Sequence, residues 1–134
     1  MAALIAGREP LEIRDVGVNP TRIALIDILR LMGADIRLHS GAEMAGEPRA
    51  DIEVRPGILR RIVVPEPLVP MAMDELPALF AAAAIAEGET VVTGAGELRV
   101  KESDRLIAMA QGLAALGVKV ETRLDGLRIL GGSV

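Results

Sequence analysis

The sequence has almost no aromatic and no sulfhydryl side chains: it contains no cysteine, tryptophan or tyrosine, and its one phenylalanine is Phe80. The absence of cysteine excludes disulfides and thiolate metal ligands and is typical of the reducing cytoplasm, so we expect a cytoplasmic protein. The single histidine, His39, lies in the polar stretch His-Ser-Gly. We predict that it is a solvated loop residue, because one imidazole without cysteine is poor support for a metal site.

The chain also lacks a strong excess of one charge and any long apolar run. Its formal net charge is −4 with acids and bases interspersed, whereas nucleic-acid-binding surfaces combine a basic stripe with stacking aromatics. Binding to nucleic acid is therefore not expected. No apolar run approaches the roughly 20 residues of a membrane span, and residues 1–8 lack the basic region of a signal peptide. With 51% apolar and 25% charged residues, we predict a globular domain without membrane association.

Hydrophobic periodicity predicts an α/β fold. Helices are expected over residues 20–32, 73–86 and 102–116. Strands are expected over 11–14, 34–38, 52–54, 62–64, 90–93, 118–122 and 127–130, with a polar surface loop over 39–50. Asn19 suits the start of the first helix, and Gly33 and Gly117 suit helix ends. The second helix has almost no polar face after Glu75, so we expect it to be buried on nearly all sides.

Two parts of the chain resemble each other. The first comprises Ala-Ala-Leu-Ile-Ala-Gly at 2–7, a strand, a helix and Leu-Met-Gly-Ala-Asp-Ile at 31–36. The second comprises Ala-Ile-Ala-Glu-Gly at 84–88, a strand, a helix and Ala-Leu-Gly-Val-Lys-Val at 115–120. Such recurrence is typical of repeat architectures. We expect nearly two strand–helix repeat units, at about 1–64 and 65–134, in a fragment of a longer protein.

The densest charge lies in Leu98-Arg-Val-Lys-Glu-Ser-Asp-Arg105. On a helix, Glu102 and Arg105 would share a face, and Lys101 would lie at the loop edge of its N-terminus. A lysine, an arginine and free helix N–H groups together favour anions, and a carboxylic acid beside them could move protons. The alternative is a solvated ion pair on a charged first turn, which is common.

Three predicted helix starts carry polar side chains, and parallel helices would bring them to one place. They are Asn19-Pro-Thr-Arg22, Asp74-Glu75 and Lys101-Glu-Ser-Asp-Arg105. Asp74 precedes an apolar helix, so it could cap that helix, act as a proton acceptor, or do both. Glu75 is expected to be solvated or paired, and Thr21 and Arg22 are expected to cap the helix and pair at the surface. Acids at Asp74 and Glu102 beside two cations would suit addition–elimination on a phosphorylated substrate.

These segments resemble one enzyme family. Leu98-Arg-Val-Lys-Glu-Ser-Asp-Arg105, together with Met73-Asp-Glu-Leu-Pro and Asn19-Pro-Thr-Arg22, is similar to the 5-enolpyruvylshikimate-3-phosphate synthases (3-phosphoshikimate 1-carboxyvinyltransferases). The resemblance implies repeated strand–helix units with parallel buried helices and sheets outside. It implies a transferase of the shikimate pathway, which serves chorismate and aromatic amino-acid biosynthesis. Such an enzyme transfers the enolpyruvyl group of phosphoenolpyruvate to the 5-hydroxyl of shikimate 3-phosphate, without a metal or organic cofactor.

The same resemblance implies a role for each of four residues. Asp74 would contact the shikimate hydroxyl and accept its proton, and Glu102 would donate a proton to the methylene carbon. Lys101 would bind shikimate 3-phosphate, and Arg105 would bind phosphoenolpyruvate. Other ligand-binding residues of the family have no counterpart here, so the isolated chain is expected to be inactive.

Two alternatives remain open. In the first alternative, the chain is a non-catalytic folded module that associates with itself through exposed apolar faces. An enolpyruvyl transferase that acts on a UDP-sugar is less well supported, because the arrangement Lys101-Glu-Ser-Asp-Arg105 is not typical of that family.

Overall fold

The computed structural model describes residues 1–132, which form helices and strands in the mixed α/β pattern expected from the sequence. The helices are α1 (Ala2–Ala6), α2 (Ala24–Leu31), α3 (Leu76–Ile85) and α4 (Arg105–Ala115). The strands are β1 (Leu11–Gly17), β2 (Asp35–Ser40), β3 (Arg49–Arg55), β4 (Arg60–Val63), β5 (Glu87–Val92), β6 (Lys119–Arg123) and β7 (Gly126–Gly131). In the same residues, no helix has the length and apolar character needed to cross a membrane.

The strands form two sheets with corresponding topology. The first sheet has the order β1-β3-β2, and the second has the order β4-β5-β7-β6. In each, a hairpin follows the helix, and its second strand pairs antiparallel with the strand that precedes the helix. β4 extends the second sheet by pairing parallel with β5. The division into repeat units near residue 64 stays a prediction, although β4 lies before that point and pairs within the second sheet.

Helix α3 lies at the centre of one hydrophobic core. Leu76, Leu79 and Phe80 are fully buried, and in this helix only Ala81 is exposed. The same core contains Ile52 of the first sheet and Ile129 of the second. Because the helix is apolar on nearly every face, neighbours surround it, as the sequence predicted.

The predicted helix ends at Gly33 and Gly117 are confirmed. Both glycines have positive φ, +95° and +85°. In each case the glycine N–H and the N–H of the next residue donate to carbonyl groups of the last helical turn. This is the Schellman arrangement, in which glycine adopts the left-handed conformation without a steric penalty.

The predicted helix starts are wrong by several residues. α2 begins at Ala24 rather than residue 20, because the Asn19 Oδ1 accepts hydrogen bonds from the N–H and hydroxyl of Thr21 and forms a turn. α3 begins at Leu76 rather than residue 73, after a 3-10 helix over Pro70–Glu75. Pro77 lacks the N–H that would bond to the Met73 carbonyl, so the α-helix cannot extend back through that turn.

The polar loop predicted over 39–50 is also shorter than expected. Ser40 still belongs to β2 and Arg49 already belongs to β3. His39 therefore lies on a strand and not in a loop, with its Nε2 3.0 Å from Glu53 Oε2. Its side chain remains exposed, and alternation of polar and apolar residues extends the strand through it.

Candidate functional site

The starts of α2 and α3 border one open cleft. Thr21 and Arg22 come from the turn before α2, and Asp74 comes from the 3-10 helix before α3. The cleft is lined by Thr21, Arg22, Pro70, Met71, Met73, Asp74 and Glu75. Two of the three polar helix starts therefore meet, as the sequence predicted.

Lys101 connects the third helix start to this cleft. Its Nζ lies 3.8 Å from Asp74 Oδ1 and 3.0 Å from Glu97 Oε1. The Lys101 side chain is 28% exposed, whereas that of Asp74 is 76% exposed and open to a ligand. The hydrogen bond and charge of Glu97, with a smaller contribution from Asp74, raise the pKa of Lys101. The ammonium group is therefore charged and already paired.

Glu102 and Arg105 lie beside Lys101 in the chain and contact each other. The helix predicted over 102–116 begins only at Arg105, so Glu102 lies in the bend before it rather than on a shared helix face. Arg105 Nη2 nevertheless lies 3.2 Å from Glu102 Oε2, and the Glu102 side chain is 87% exposed. A hydrogen bond with its own backbone and the charge of Arg105 lower the pKa of Glu102. Glu102 is a carboxylate at neutral pH.

Asp104 determines where α4 begins. Its Oδ1 accepts a hydrogen bond from the N–H of Ile107, 3.0 Å away. That bond is the largest cause of the lowered pKa of Asp104, and Arg99 adds to it. Asp104 is thus the N-cap of α4. Because Asp104 caps the helix, the helix begins at Arg105 and not at Glu102. An aspartate immediately before the apolar pattern of Leu106 and Ala110 is the signal that indicates this cap.

Sequence reasoning did not assign a role to Glu97 or Arg99. Glu97 is the nearest partner of Lys101, and its position four residues earlier is compatible with an ion pair. Arg99 reaches Asp104 and two backbone carbonyls of the β6–β7 hairpin. No local pattern indicates the second contact, because the hairpin lies more than twenty residues further along the chain.

The charges around Lys101 and Arg105 suit an anion that can displace their present partners. Lys101 is paired with Glu97 and Arg105 with Glu102, and the positive charge of Arg105 acts weakly against the raised pKa of Lys101. A bound anion would offset this repulsion. In residues 1–132, no three His, Asp or Glu side chains are grouped as a metal ion would require.

Comparison with known proteins identifies a family. The family model of EPSP synthase (3-phosphoshikimate 1-carboxyvinyltransferase) matches residues 1–134. The 3-phosphoshikimate 1-carboxyvinyltransferase of Halorhodospira halophila is 60% identical over 131 residues, which are 98% of this chain and 30% of that relative. The corresponding protein of Alkalilimnicola ehrlichii is 55% identical, over 98% of this chain and 29% of its own length.

Solved structures agree with the sequence comparisons. The EPSP synthase of Acinetobacter baumannii, at 2.37 Å, superposes with a TM-score of 0.88 and 50% identity over 91% of this chain and 28% of that protein. The fold class expected from the sequence is thereby confirmed. The chain spans about 30% of the length of the curated relatives that it matches.

Proposed function

The chain belongs to the EPSP synthase family, and we propose that it forms part of an enzyme that transfers the enolpyruvyl group of phosphoenolpyruvate to the 5-hydroxyl of shikimate 3-phosphate. Such a transferase serves chorismate and aromatic amino-acid biosynthesis in the shikimate pathway. The main support is the approach of Lys101 Nζ to within 3.8 Å of Asp74 Oδ1 across two helix starts. A cytoplasmic location and a reaction without a cofactor stay predictions.

Lys101 and Arg105 are proposed to bind the two anionic substrates. Lys101 would bind the phosphate of shikimate 3-phosphate, and Arg105 would bind phosphoenolpyruvate. Arg105 can form a two-pronged contact with a carboxylate or phosphate, whereas Lys101 acts as a point charge. Both cations must first leave their carboxylate partners, Glu97 and Glu102.

Asp74 and Glu102 are proposed to transfer protons. Asp74 would accept the proton of the shikimate 5-hydroxyl as that oxygen bonds to C2 of phosphoenolpyruvate, and Glu102 would donate a proton to the methylene carbon. Loss of a proton from the resulting methyl group, with departure of phosphate from C2, would then restore the double bond and complete the transfer. The lowered pKa of Glu102 means that the free chain holds the wrong protonation state for a donor. Substrate that covers Glu102 and engages Arg105 would remove both water and the stabilising cation, which raises a carboxyl pKa.

The lysine content of this chain makes the phosphate-binding role easy to test. Lys101 and Lys119 are its only lysines, so selective ¹³C labelling of lysine gives two side-chain signals, one from the proposed site and one from strand β6. We expect shikimate 3-phosphate to shift the Lys101 signal and the backbone amides of Asp74 and residues 101–105, while Lys119 stays unchanged. Lys101→Met should weaken binding about tenfold, as loss of a charge-assisted hydrogen bond does.

Lys119→Met is the matched control, because it removes the same charge from an exposed strand position. Equal effects of the two substitutions, or no response of Lys101 at millimolar ligand, would exclude the proposed site in this chain. A separate assay for phosphate release from both substrates tests the expectation that these residues alone do not turn over.

A second candidate function, a self-associating module without catalysis, is favoured by the edge strand β1. Leu11 and Ile13 pair in register with Val54 and Ile52, which are buried, so all four side chains point to the core face of the first sheet. Yet Leu11 is 48% exposed and Ile13 is 45% exposed. Sedimentation velocity should then detect a dimer that Ile13→Lys dissociates. A monomer at every concentration would exclude this function.

A further inference from the structure

The connection between β5 and α4, residues 93–104, is fastened to the β6–β7 hairpin by Arg99. Its Nε donates to the Leu124 carbonyl at 2.6 Å, and its Nη2 donates to the Arg123 carbonyl at 2.5 Å. The third guanidinium nitrogen, Nη1, donates to Asp104 Oδ2 at 2.8 Å. One side chain therefore joins the hairpin turn, the middle of the connection and the N-cap of α4.

Asp125 of the same hairpin holds the beginning of the connection. Its Oδ2 accepts a hydrogen bond from Gly94 N–H at 2.9 Å, and its carbonyl accepts one from Ala95 N–H at 2.7 Å. Leu98, within the connection, is fully buried. The segment that carries the charged residues is thus fixed at its start, its middle and its end, although it contains no α-helix or strand.

Arg99 is suited to this task by its chemistry and its burial. The guanidinium group has donors in a fixed plane, so three acceptors in different directions define one orientation of the side chain. The Arg99 side chain is 25% exposed, and all three of its nitrogens are engaged. Glu97 and Lys101 lie two residues to either side of it. Movement of Arg99 would therefore move both partners of the Glu97–Lys101 ion pair.

We propose that Arg99 is a positioning residue that holds Lys101 and Glu102 at the anion-binding site by anchoring their connection to the β6–β7 hairpin. All three guanidinium nitrogens of Arg99 donate to groups of the chain itself, so the proposal assigns Arg99 no contact with substrate. The proposal rests on the proposed function for what Lys101 and Glu102 bind. The anchoring itself rests on distances within this chain.

The test measures the Lys101 side chain in variants of the full 134-residue chain. Arg99→Gln removes the anchor, Arg99→Lys keeps the charge without the three-way geometry, and Asp104→Asn keeps the helix cap but removes its charge. Arg123→Gln is the matched control, because Arg123 lies on the same hairpin and its side chain pairs only with Glu121, at 3.6 Å, among residues 1–132. The ¹³Cε signal of Lys101 is followed with pH, and shikimate 3-phosphate is then titrated into each variant.

In Arg99→Gln we expect the raised pKa of Lys101 to return towards the ordinary lysine value of about 10.4, because the ion pair with Glu97 loosens. Affinity for shikimate 3-phosphate should fall about tenfold. Arg99→Lys should lie between Arg99→Gln and the wild type, and Arg123→Gln should match the wild type. If Arg99→Gln does not fold, the Lys101 titration and the affinity for shikimate 3-phosphate are compared between Arg99→Lys and the wild type alone.

Two results separate this proposal from the proposed function. If the Lys101 titration in Arg99→Gln, or in Arg99→Lys when only that variant folds, equals that of the wild type, Arg99 only supports the fold and the positioning role is overturned. If the wild type binds no shikimate 3-phosphate but the Lys101 titration responds to loss of Arg99, the anchoring is supported and the binding role of Lys101 in this chain is not.

Discussion

Two connections occupy corresponding places in the two sheets: residues 18–23 join β1 to α2, and residues 93–104 join β5 to α4. The order β1-β3-β2 of the first sheet corresponds to β5-β7-β6 in the second. Both are followed by a helix that ends in a Schellman glycine and by a hairpin. The first is held by the local hydrogen bonds between Asn19 and Thr21. It also contacts the loop of its own hairpin, where Val18 N–H donates to the Pro48 carbonyl and Asn19 Nδ2 lies 3.4 Å from Glu47 Oε2. The second buries its own Leu98, donates from the Arg99 guanidinium to two backbone carbonyls of the β6–β7 hairpin, and donates from Gly94 N–H to the Asp125 side chain of that hairpin.

This difference separates the part of the molecule that makes the fold from the part that contains the residues proposed to bind substrate. Strand pairing and helix ends are nearly the same in both copies, so they are sufficient for the repeated scaffold. The charged residues lie in the longer connection, which contacts its hairpin through the side chains of Arg99 and Asp125, whereas the shorter one uses the Val18 backbone and Asn19. An added segment can acquire a binding role when a few contacts fix it to an existing scaffold.

The largest predicted effect is a loss of stability in the hydrophobic core that both sheets share. Phe80→Ala should lower the free energy of unfolding by about 3–5 kcal/mol, because a fully buried aromatic side chain leaves a cavity. Both sheets should lose stability together, since one core contains residues from each. Urea unfolding followed by hydrogen exchange at Ile52 and Ile129 measures this.

Ala81→Ser is the control for Phe80→Ala, because Ala81 is the exposed residue of the same helix. It should change stability by about 0.5 kcal/mol, the difference in helix propensity. Protection of β3 that persists while β7 exchanges would mean that the two copies unfold separately, and the shared-core argument would be wrong.

The next effect concerns the two helix starts. Asp104→Ala should lower the Tm by several degrees, because α4 loses its N-cap and Arg99 loses a partner. Asp27→Ala removes an acid from the first turn of α2, which has no side-chain cap, and should have a smaller effect. Equal shifts in the two variants, measured by circular dichroism, would contradict the difference between the connections.

Asp104 also makes the stability of the chain depend on pH. The pKa of Asp104 is lowered in the folded chain, mainly by the Ile107 N–H. Its charged form therefore contributes stability above the unfolded value of about 3.9, and this contribution is lost as the pH falls through the lower folded value. The stability difference between wild type and Asp104→Asn should be constant at neutral pH and shrink below about pH 4. A difference that grows in acid would contradict the assignment.

A smaller effect is expected where the first strands of the two sheets differ. β1 has no buried residue, whereas β5 buries Thr90 and Val92. The Thr90 hydroxyl has no hydrogen-bond partner among residues 1–132. Thr90→Val keeps the shape and removes the buried polar group, so it should stabilise the chain by about 1 kcal/mol. Thr122→Val is the control, because Thr122 is exposed on β6, and it should leave the stability nearly unchanged. If Thr90→Val instead destabilises the chain, the Thr90 hydroxyl is hydrogen-bonded to water in the folded state.

Local rules predicted much of this fold from the sequence. Alternating apolar residues placed the strands, and Gly33 and Gly117 placed helix ends, because each signal depends only on neighbouring residues. The helix starts were wrong where a local competitor decided the outcome: the turn at Asn19, the missing N–H of Pro77 and the cap at Asp104. The pairing of β4 with the second sheet depends on distant strands, which periodicity does not describe.

The candidate site was only partly predictable for the same reason. Lys101, Glu102 and Arg105 are neighbours in the chain, so their charge density was visible in the sequence. The approach of Lys101 to Asp74 was expected from the convergence of helix starts. The anchoring of Arg99 to residues 123 and 124 was not, because it depends on a hairpin that folds back from further along the chain.

The smallest predicted effect concerns the hairpin turns of the two sheets. In the first, Ala45 and Gly46 have φ of 53° and 81° between the bridged residues Met44 and Glu47. Left-handed alanine is unfavourable by about 1 kcal/mol, whereas Asn-Gly is preferred in such turns. Ala45→Asn should therefore raise the free energy of unfolding by about 0.5–1 kcal/mol in a urea titration. Ala42→Asn, outside the turn and without positive φ, should not. Equal responses of Ala45→Asn and Ala42→Asn would mean that the left-handed conformation of Ala45 carries no strain.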